Sequence, residues 1–396
     1  MPTKRGVIWR MMHRPQQLWL RRAFFHVHLW SGLALAVYMT VIGVTGSILV
    51  FRNEITGQAY RTAFGLPAGI IAPPTEAVLA AVKARYPAAK LTAFRSPTRR
   101  DPVETVFLQE GKKNSIVLLH PLTLEPLANL RPEPKWLVWV RSLHADLLGG
   151  KTGRLWNGAG AFALLVLCVS GLVLWWRGLS NAIKGLWFKW GSGWKRMNFD
   201  LHSAFGFWSV GLLLMWAVTG ISFSWPKQYR MSVNALSAVP VNRVPVVKPS
   251  RIEVEAQLPK MLATAYATNP GAVMSGVDLR LGPKNPVVVY MTEGPSGDLL
   301  HTNYLYFDPA SGDKIGEWQR GHPRNLGEWM MWAVVPWHYG NYWGTAIEII
   351  WAFAGLSLPA LAFTGVLMYW NRFLRKAMGR ADAGFSNLLD RVRYEP

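Results

Sequence analysis

Four stretches of this chain, 29–51, 156–176, 203–225 and 345–370, are long and apolar enough to cross a lipid bilayer, and they form two copies of one pattern. A bilayer core of about 30 Å needs roughly 20 apolar residues in helical form. Lipid offers backbone groups no hydrogen-bond partner, so each such span has to be a helix rather than an open strand. The first copy of the pattern has His28 placed 18 residues before Gly46 of a V-T-G triplet, and the second has His202 placed 18 before Gly220 of another. His144 then precedes Gly171 of V-S-G by 27 residues, and His338 precedes Gly365 of F-T-G by the same 27. Gly32 and Gly206 each follow the first histidine of their copy by four. Two matched spacings in the same order point to an internal duplication. Spans one and three run in the same direction, so the copies form a parallel repeat about an axis along the membrane normal.

Basic residues orient the spans. The N-terminal segment 1–28 holds Lys4, Arg5, Arg10, Arg14, Arg21 and Arg22 with no acid, and the connection 177–202 holds Arg177, Lys184, Lys189, Lys195 and Arg196. The tail 371–396 opens with Arg372, Arg375 and Lys376. All three segments belong in the cytoplasm by the positive-inside rule. That accounts for much of the net charge of +21, which in a soluble chain would point to nucleic acid. The first span is longer than a signal-peptide core and lacks a small-residue cleavage pattern, so it is expected to stay as an anchor.

The two remaining connections, 52–135 and 226–328, face outward, and each is long enough for a small domain. Each reads as a helix followed by strands: Thr75 to Tyr86, then Glu104 to Leu108 and Ser115 to Leu119; and Ile252 to Thr268, then Pro286 to Thr292 and Tyr304 to Phe307. The expectation is two compact α+β modules with a shallow cleft between them. Trp-rich segments at 136–155 and 329–344 read as lying along the outer membrane surface, where Trp337, Tyr339, Tyr342 and Trp343 would be anchors.

The repeat places His28 opposite His202 near the cytoplasmic side, and His144 opposite His338 near the outer side. Ionisable residues at membrane depth are costly and tend to be functional. Two imidazoles converging across a helix bundle are what an iron porphyrin needs on its two faces. His26, about 200° around the helix from His28, competes for the inner site. His120, aligned with Asp308 before a shared proline, reads as a turn residue, while His13, His301 and His322 have no repeat partner and read as surface residues. Gly43, Gly46, Gly171, Gly220 and Gly365, with Thr45, Ser170, Thr219 and Thr364, read as close helix-packing positions. Zinc wants three or four clustered ligands, which this pattern does not offer. Cys168 is the single cysteine and no C-x-x-C-H occurs, so neither an iron–sulfur cluster within the chain nor covalent haem attachment fits.

The H-L-W-S-G…V-T-G of span one, S-L-H-A-D-L-L-G-G before span two, D-L-H-S…V-T-G of span three and P-W-H-Y-G…F-T-G of span four resemble the PepSY-associated transmembrane family over nearly the whole chain. The resemblance implies a helical membrane protein with four transmembrane helices and two extracytoplasmic α+β PepSY-like domains. Among characterised relatives, the organisation is similar to that of bacterial inner-membrane ferric-siderophore reductases. It implies two b-type haems held by His28, His202, His144 and His338, with electrons passing from a quinol or a cytoplasmic reductase to a periplasmic ferric siderophore. The alternatives are a haem subunit serving another periplasmic oxidoreductase, and a siderophore permease or accessory binding protein with no redox role.

Overall fold

The computed structural model describes residues 7–69, 72–127, 132–179, 185–248, 254–279, 284–293, 301–340 and 343–375. Lys4, Arg5, Lys184, Ile252, Tyr342 and Lys376, named above, lie outside them, as does most of the tail 371–396. In chain order α1 is Val7–His13, α2 Trp19–Leu49, α3 Arg52–Phe64 and α4 Thr75–Arg85. Strands β1 Lys90–Arg95, β2 Glu104–Glu110 and β3 Lys113–Leu119 follow, then α5 Lys135–Asp146 and α6 Gly150–Trp175. Next come α7 Trp194–Ser224, α8 Pro226–Leu236 and α9 Val254–Thr268. Strands β4 Val273–Asp278, β5 Val287–Thr292, β6 Thr302–Phe307 and β7 Lys314–Gln319 lead to α10 Leu326–Tyr339, α11 Thr345–Gly355 and α12 Ser357–Tyr369.

The chain divides into a helical unit (1–50, 140–226 and 337–396) and a sheet unit (51–139 and 227–336). In the helical unit, α2, α6, α7 and the α11–α12 pair are the four stretches long and apolar enough to cross a membrane. Helices α2 and α6 begin ten and six residues before the apolar spans at 29 and 156, because basic and polar residues extend them. The fourth span breaks at Leu356. Pro359 has no N–H to return to the Gly355 carbonyl four residues back, which ends α11 there. Gly43 of α2 packs on this break, where a Cβ would come within 2.7 Å of Pro359 Cδ and 2.8 Å of the Gly355 carbonyl. Met39, Leu164, Leu167, Cys168, Leu213, Ala217 and Leu358 form the apolar centre of the bundle.

The sheet unit holds one seven-stranded antiparallel sheet in the order β3-β2-β1-β4-β5-β6-β7. The two outward connections thus share a sheet through the β1–β4 pairing (Phe94 opposite Val277), where a cleft between two modules was expected. Arg95 crosses this seam to Asp278 at 2.5 Å, and the Tyr290 hydroxyl donates to the same carboxylate at 2.6 Å. Val78 and Val82 of α4 and Leu258, Met261 and Ala265 of α9 join the core formed by Phe94, Val106, Val277, Val289 and Leu305. His120 does occupy a turn: its Nδ1 accepts from the amides of Leu122 and Thr123, as Asp308 Oδ1 accepts from Ala310 and Ser311.

Glu104 opens β2 at 1% exposure, and its Oε1 has no hydrogen-bond partner among the described residues. Burial pushes its carboxyl up from 4.5 to about 8. The folded state therefore holds this proton more tightly than the unfolded chain, and the stability it supplies is complete below pH 4.5 and lost as pH rises through about 8. We expect Glu104→Gln in the full-length protein to flatten the fall in melting temperature between pH 5 and 8.5. At the upper end the variant should gain on the order of a few kcal/mol; an unchanged pH slope would refute this.

Candidate functional site

The helical unit brings the four repeated histidines together as two pairs. His28 of α2 faces His202 of α7 with ring centroids 6.3 Å apart and planes at 88°. His144 of α5 faces His338 of α10 at 6.2 Å and 63°. A metal–imidazole bond of roughly 2 Å on either side of one ion sets two ring centroids about 6 Å apart. Among the described residues no three His, Cys, Asp or Glu side chains converge on a common point. Two opposed imidazoles suit a metal that arrives with four in-plane ligands of its own, which is the haem arrangement.

Every one of the four rings is tied through Nδ1 to a hydroxyl of its own repeat copy. His28 Nδ1 lies 3.0 Å from Ser170 Oγ and 3.2 Å from the Leu167 carbonyl. His144 Nδ1 lies 3.0 Å from Thr45 Oγ1, His202 Nδ1 2.9 Å from Thr364 Oγ1, and His338 Nδ1 2.8 Å from Thr219 Oγ1. These hydroxyls spend their own hydrogen on their own helix: Thr45 on Val41 O, Thr219 on Met215 O, Thr364 on Ala360 O and Ser170 on Leu167 O. Their oxygens are left to accept, so each Nδ1 is the protonated nitrogen and each Nε2 keeps its lone pair. That is the tautomer a metal requires, set by the outer-shell partner.

At three of the four hydroxyls the neighbouring glycine packs against the ring. A Cβ on Gly46 would sit 3.0 Å from His144 Cε1, on Gly171 3.3 Å from His28 Cε1, and on Gly365 3.4 Å from His202 Cε1. Gly220 departs from the pattern and faces Ala161 instead. The triplets read as packing positions in the sequence therefore hold and clear the histidines as well. Only the recurrence of Ser or Thr before each glycine could have signalled this.

The carbonyls behind the α5 and α10 rings are also fixed. Asn157 Nδ2 donates to His144 O at 2.7 Å and is itself held by the Tyr38 hydroxyl. Trp216 Nε1 donates to His338 O at 3.2 Å, and Trp351 Nε1 to Trp337 O at 2.8 Å. Around His28 and His202 lies a cavity of about 1090 Å³ walled by Gly32, Gly171, Gly206 and Gly365 among others. His26 is exposed at its edge, turned toward Phe25 rather than toward His202.

Other histidines lie apart. His13 stacks on Trp9. In the sheet unit the exposed His322 meets Glu293 at 2.9 Å, with His301 6.3 Å from it ring to ring. Burial alone would raise the Glu293 carboxyl, but bonds from His322 and Asn303 outweigh it and hold it below its usual range.

The profile of the family described as the PepSY-associated TM region matches residues 25–372, so the chain belongs to that family. No curated protein matches it.

Replacing Thr219 by Val keeps the shape of the side chain but leaves the N–H of the half-buried His338 without its hydroxyl acceptor. We expect a loss of about 1–3 kcal/mol in the unfolding of the full-length protein in detergent. Thr40→Val, which removes only a bond to Ala36 on its own helix, should cost less. Equal losses for the two would contradict a ring-holding role for Thr219.

Proposed function

As a member of the PepSY-associated transmembrane family, we propose, this chain is a di-haem b oxidoreductase of the bacterial inner membrane with both termini in the cytoplasm. It carries electrons across the membrane and reduces the Fe(III) of a ferric siderophore to Fe(II) on the periplasmic side. The observation that carries this reading is the pair of opposed imidazole couples, with ring centroids 6.3 and 6.2 Å apart, a spacing that would let each couple hold one metal ion between its rings. His28 and His202 would hold one haem, and His144 and His338 the other. Bound there, haem supplies one-electron redox chemistry at a potential set by its axial ligands and burial.

The chain's own residues do the rest. Ser170, Thr364, Thr45 and Thr219 hold the four rings in the ligating tautomer. His28 and Thr45 are 17 residues apart on α2, as are His202 and Thr219 on α7. At 1.5 Å per residue the two levels lie roughly 25 Å apart along the helices, close to the thickness of a bilayer core. Between them Met39, Leu167 and Leu213 give the bundle an apolar lining. The sheet unit is read as two PepSY-like halves that present the substrate. Each Fe(III) gains one electron, and the donor, a quinol or a cytoplasmic reductase, loses it. Siderophores hold Fe(III) far more tightly than the softer Fe(II), so reduction releases the metal. The organisation resembles that of the ferrioxamine reductase FoxB.

Purified protein should show a b-type haem spectrum that changes on adding dithionite, with two haems per chain. His28→Ala and His144→Ala should each lose a different one. Dithionite-reduced protein, freed of excess reductant, should be reoxidised by ferric siderophores. A protein without haem would end the redox reading. A haem protein that no ferric siderophore reoxidises would instead be an electron-transfer subunit for another oxidoreductase.

A further inference from the structure

The cavity around His28 and His202 is walled by apolar groups but rimmed by one sign of charge. Arg22 of α2, Arg177 just beyond α6, Lys195 of α7 and Arg372 just beyond α12 all line it. Each comes from a different element, and each lies six or seven residues from the ligating level on its own strand of chain. Arg22 precedes His28 by six and Lys195 precedes His202 by seven; Arg177 follows Gly171 by six and Arg372 follows Gly365 by seven. Six or seven helical residues rise about 9–10 Å.

Among the described residues no aspartate or glutamate lines the cavity. The carboxylate nearest in sequence to His202, Asp200, is 3% exposed and bound to Arg196 at 2.8 Å. Arg177 rests over the Phe199 ring with Ser203 as its hydrogen-bond partner, and Arg372 rests over Phe25 and Phe373. Arg21 is different: its guanidinium caps the end of α6 through the carbonyls of Val173, Leu174 and Trp176. The positive-inside rule explains basic residues at this end of the bundle, but it does not require four of them to turn onto one cavity. Cations converging without carboxylates beside an apolar slot match a flat apolar ligand with an anionic edge.

We propose that Arg22, Arg177, Lys195 and Arg372 form a carboxylate-binding rim for the two propionates of haem, so that the macrocycle enters this cavity with its charged edge toward the cytoplasm. The inference rests on the haem reading of the site. A phospholipid headgroup offers similar anionic chemistry, and the test separates the two.

Full-length protein carrying His144→Ala, so that this cavity alone reports, is made in haem-depleted cells and placed in nanodiscs of phosphatidylcholine, with or without phosphatidylglycerol. Haem and its dimethyl ester, whose propionates are uncharged, are titrated and followed at the Soret band. The intact rim should prefer haem over the ester by roughly tenfold or more, as expected when bonds to a charged group are lost. Arg22→Gln with Arg372→Gln should erase most of that preference, and the corresponding Lys substitutions should retain it. Equal affinity for haem and ester, or an unchanged preference in the Gln variant, would overturn the proposal. So would occupancy governed by phosphatidylglycerol rather than by esterification. Absence of any Soret change would instead strike at the haem reading itself.

Discussion

An imidazole N–H buried among apolar helices, answered by a hydroxyl of a neighbouring helix, is the interaction on which the helical unit depends. A buried donor left unpaired costs about 1–3 kcal/mol, so a bundle with four such rings has to answer each one. Threonine and serine can do so without creating a new debt, because their own hydrogen already goes to a carbonyl of their own helix. The same bond fixes ring orientation, tautomer and helix register together. Ser170 has to meet His28 while Thr45 meets His144, and this holds α2, α5 and α6 in one relative position. The spacings of 18 and 27 residues that recur in the sequence are the linear trace of that requirement.

This explains what could be read from the chain and what could not. The four spans and the four histidines stand out because composition and repetition mark them. The repeat spacing favours His28 over His26, whose matching position in the second copy is Asp200, and the structure agrees: His28 reaches Ser170, while His26 stays exposed. The hydroxyls were hidden because a small residue beside glycine in an apolar helix has an ordinary packing explanation. In the sheet unit β2 alternates visibly and β5 and β6 show as apolar runs, but β1 and β4 are interrupted by register shifts at Leu91/Ala93 and Met274/Gly276, which break the two-residue period. Their pairing joins segments more than 180 residues apart, and no local pattern encodes that.

The two copies agree where a ring is held and differ where it is merely backed. Behind His144 the carbonyl is taken by Asn157, steadied by Tyr38; behind His338 the same need is met by Trp216, with Trp351 at the position matching Asn157. Either donor satisfies a helix-end carbonyl, so the residue type is free to change while the bond persists. Gly220 shows the same latitude, facing Ala161 where its counterpart Gly46 faces a ring. The position matching His26 is Asp200, which the second copy uses to bind Arg196.

That contrast separates chemistry from scaffold within the duplication. A hydrogen bond whose loss exposes a donor to apolar surroundings is kept in both copies, at both levels of the bundle. A contact that any donor or any small side chain can supply has drifted. Between the two levels Met39, Leu164, Leu167, Leu213, Ala217 and Leu358 give the bundle an apolar centre. A low-dielectric layer of this kind is stable only if the polar groups at its borders are satisfied from within the protein. The four imidazole–hydroxyl pairs do this, and in doing so they leave the Nε2 lone pair of each ring free within the membrane-spanning bundle.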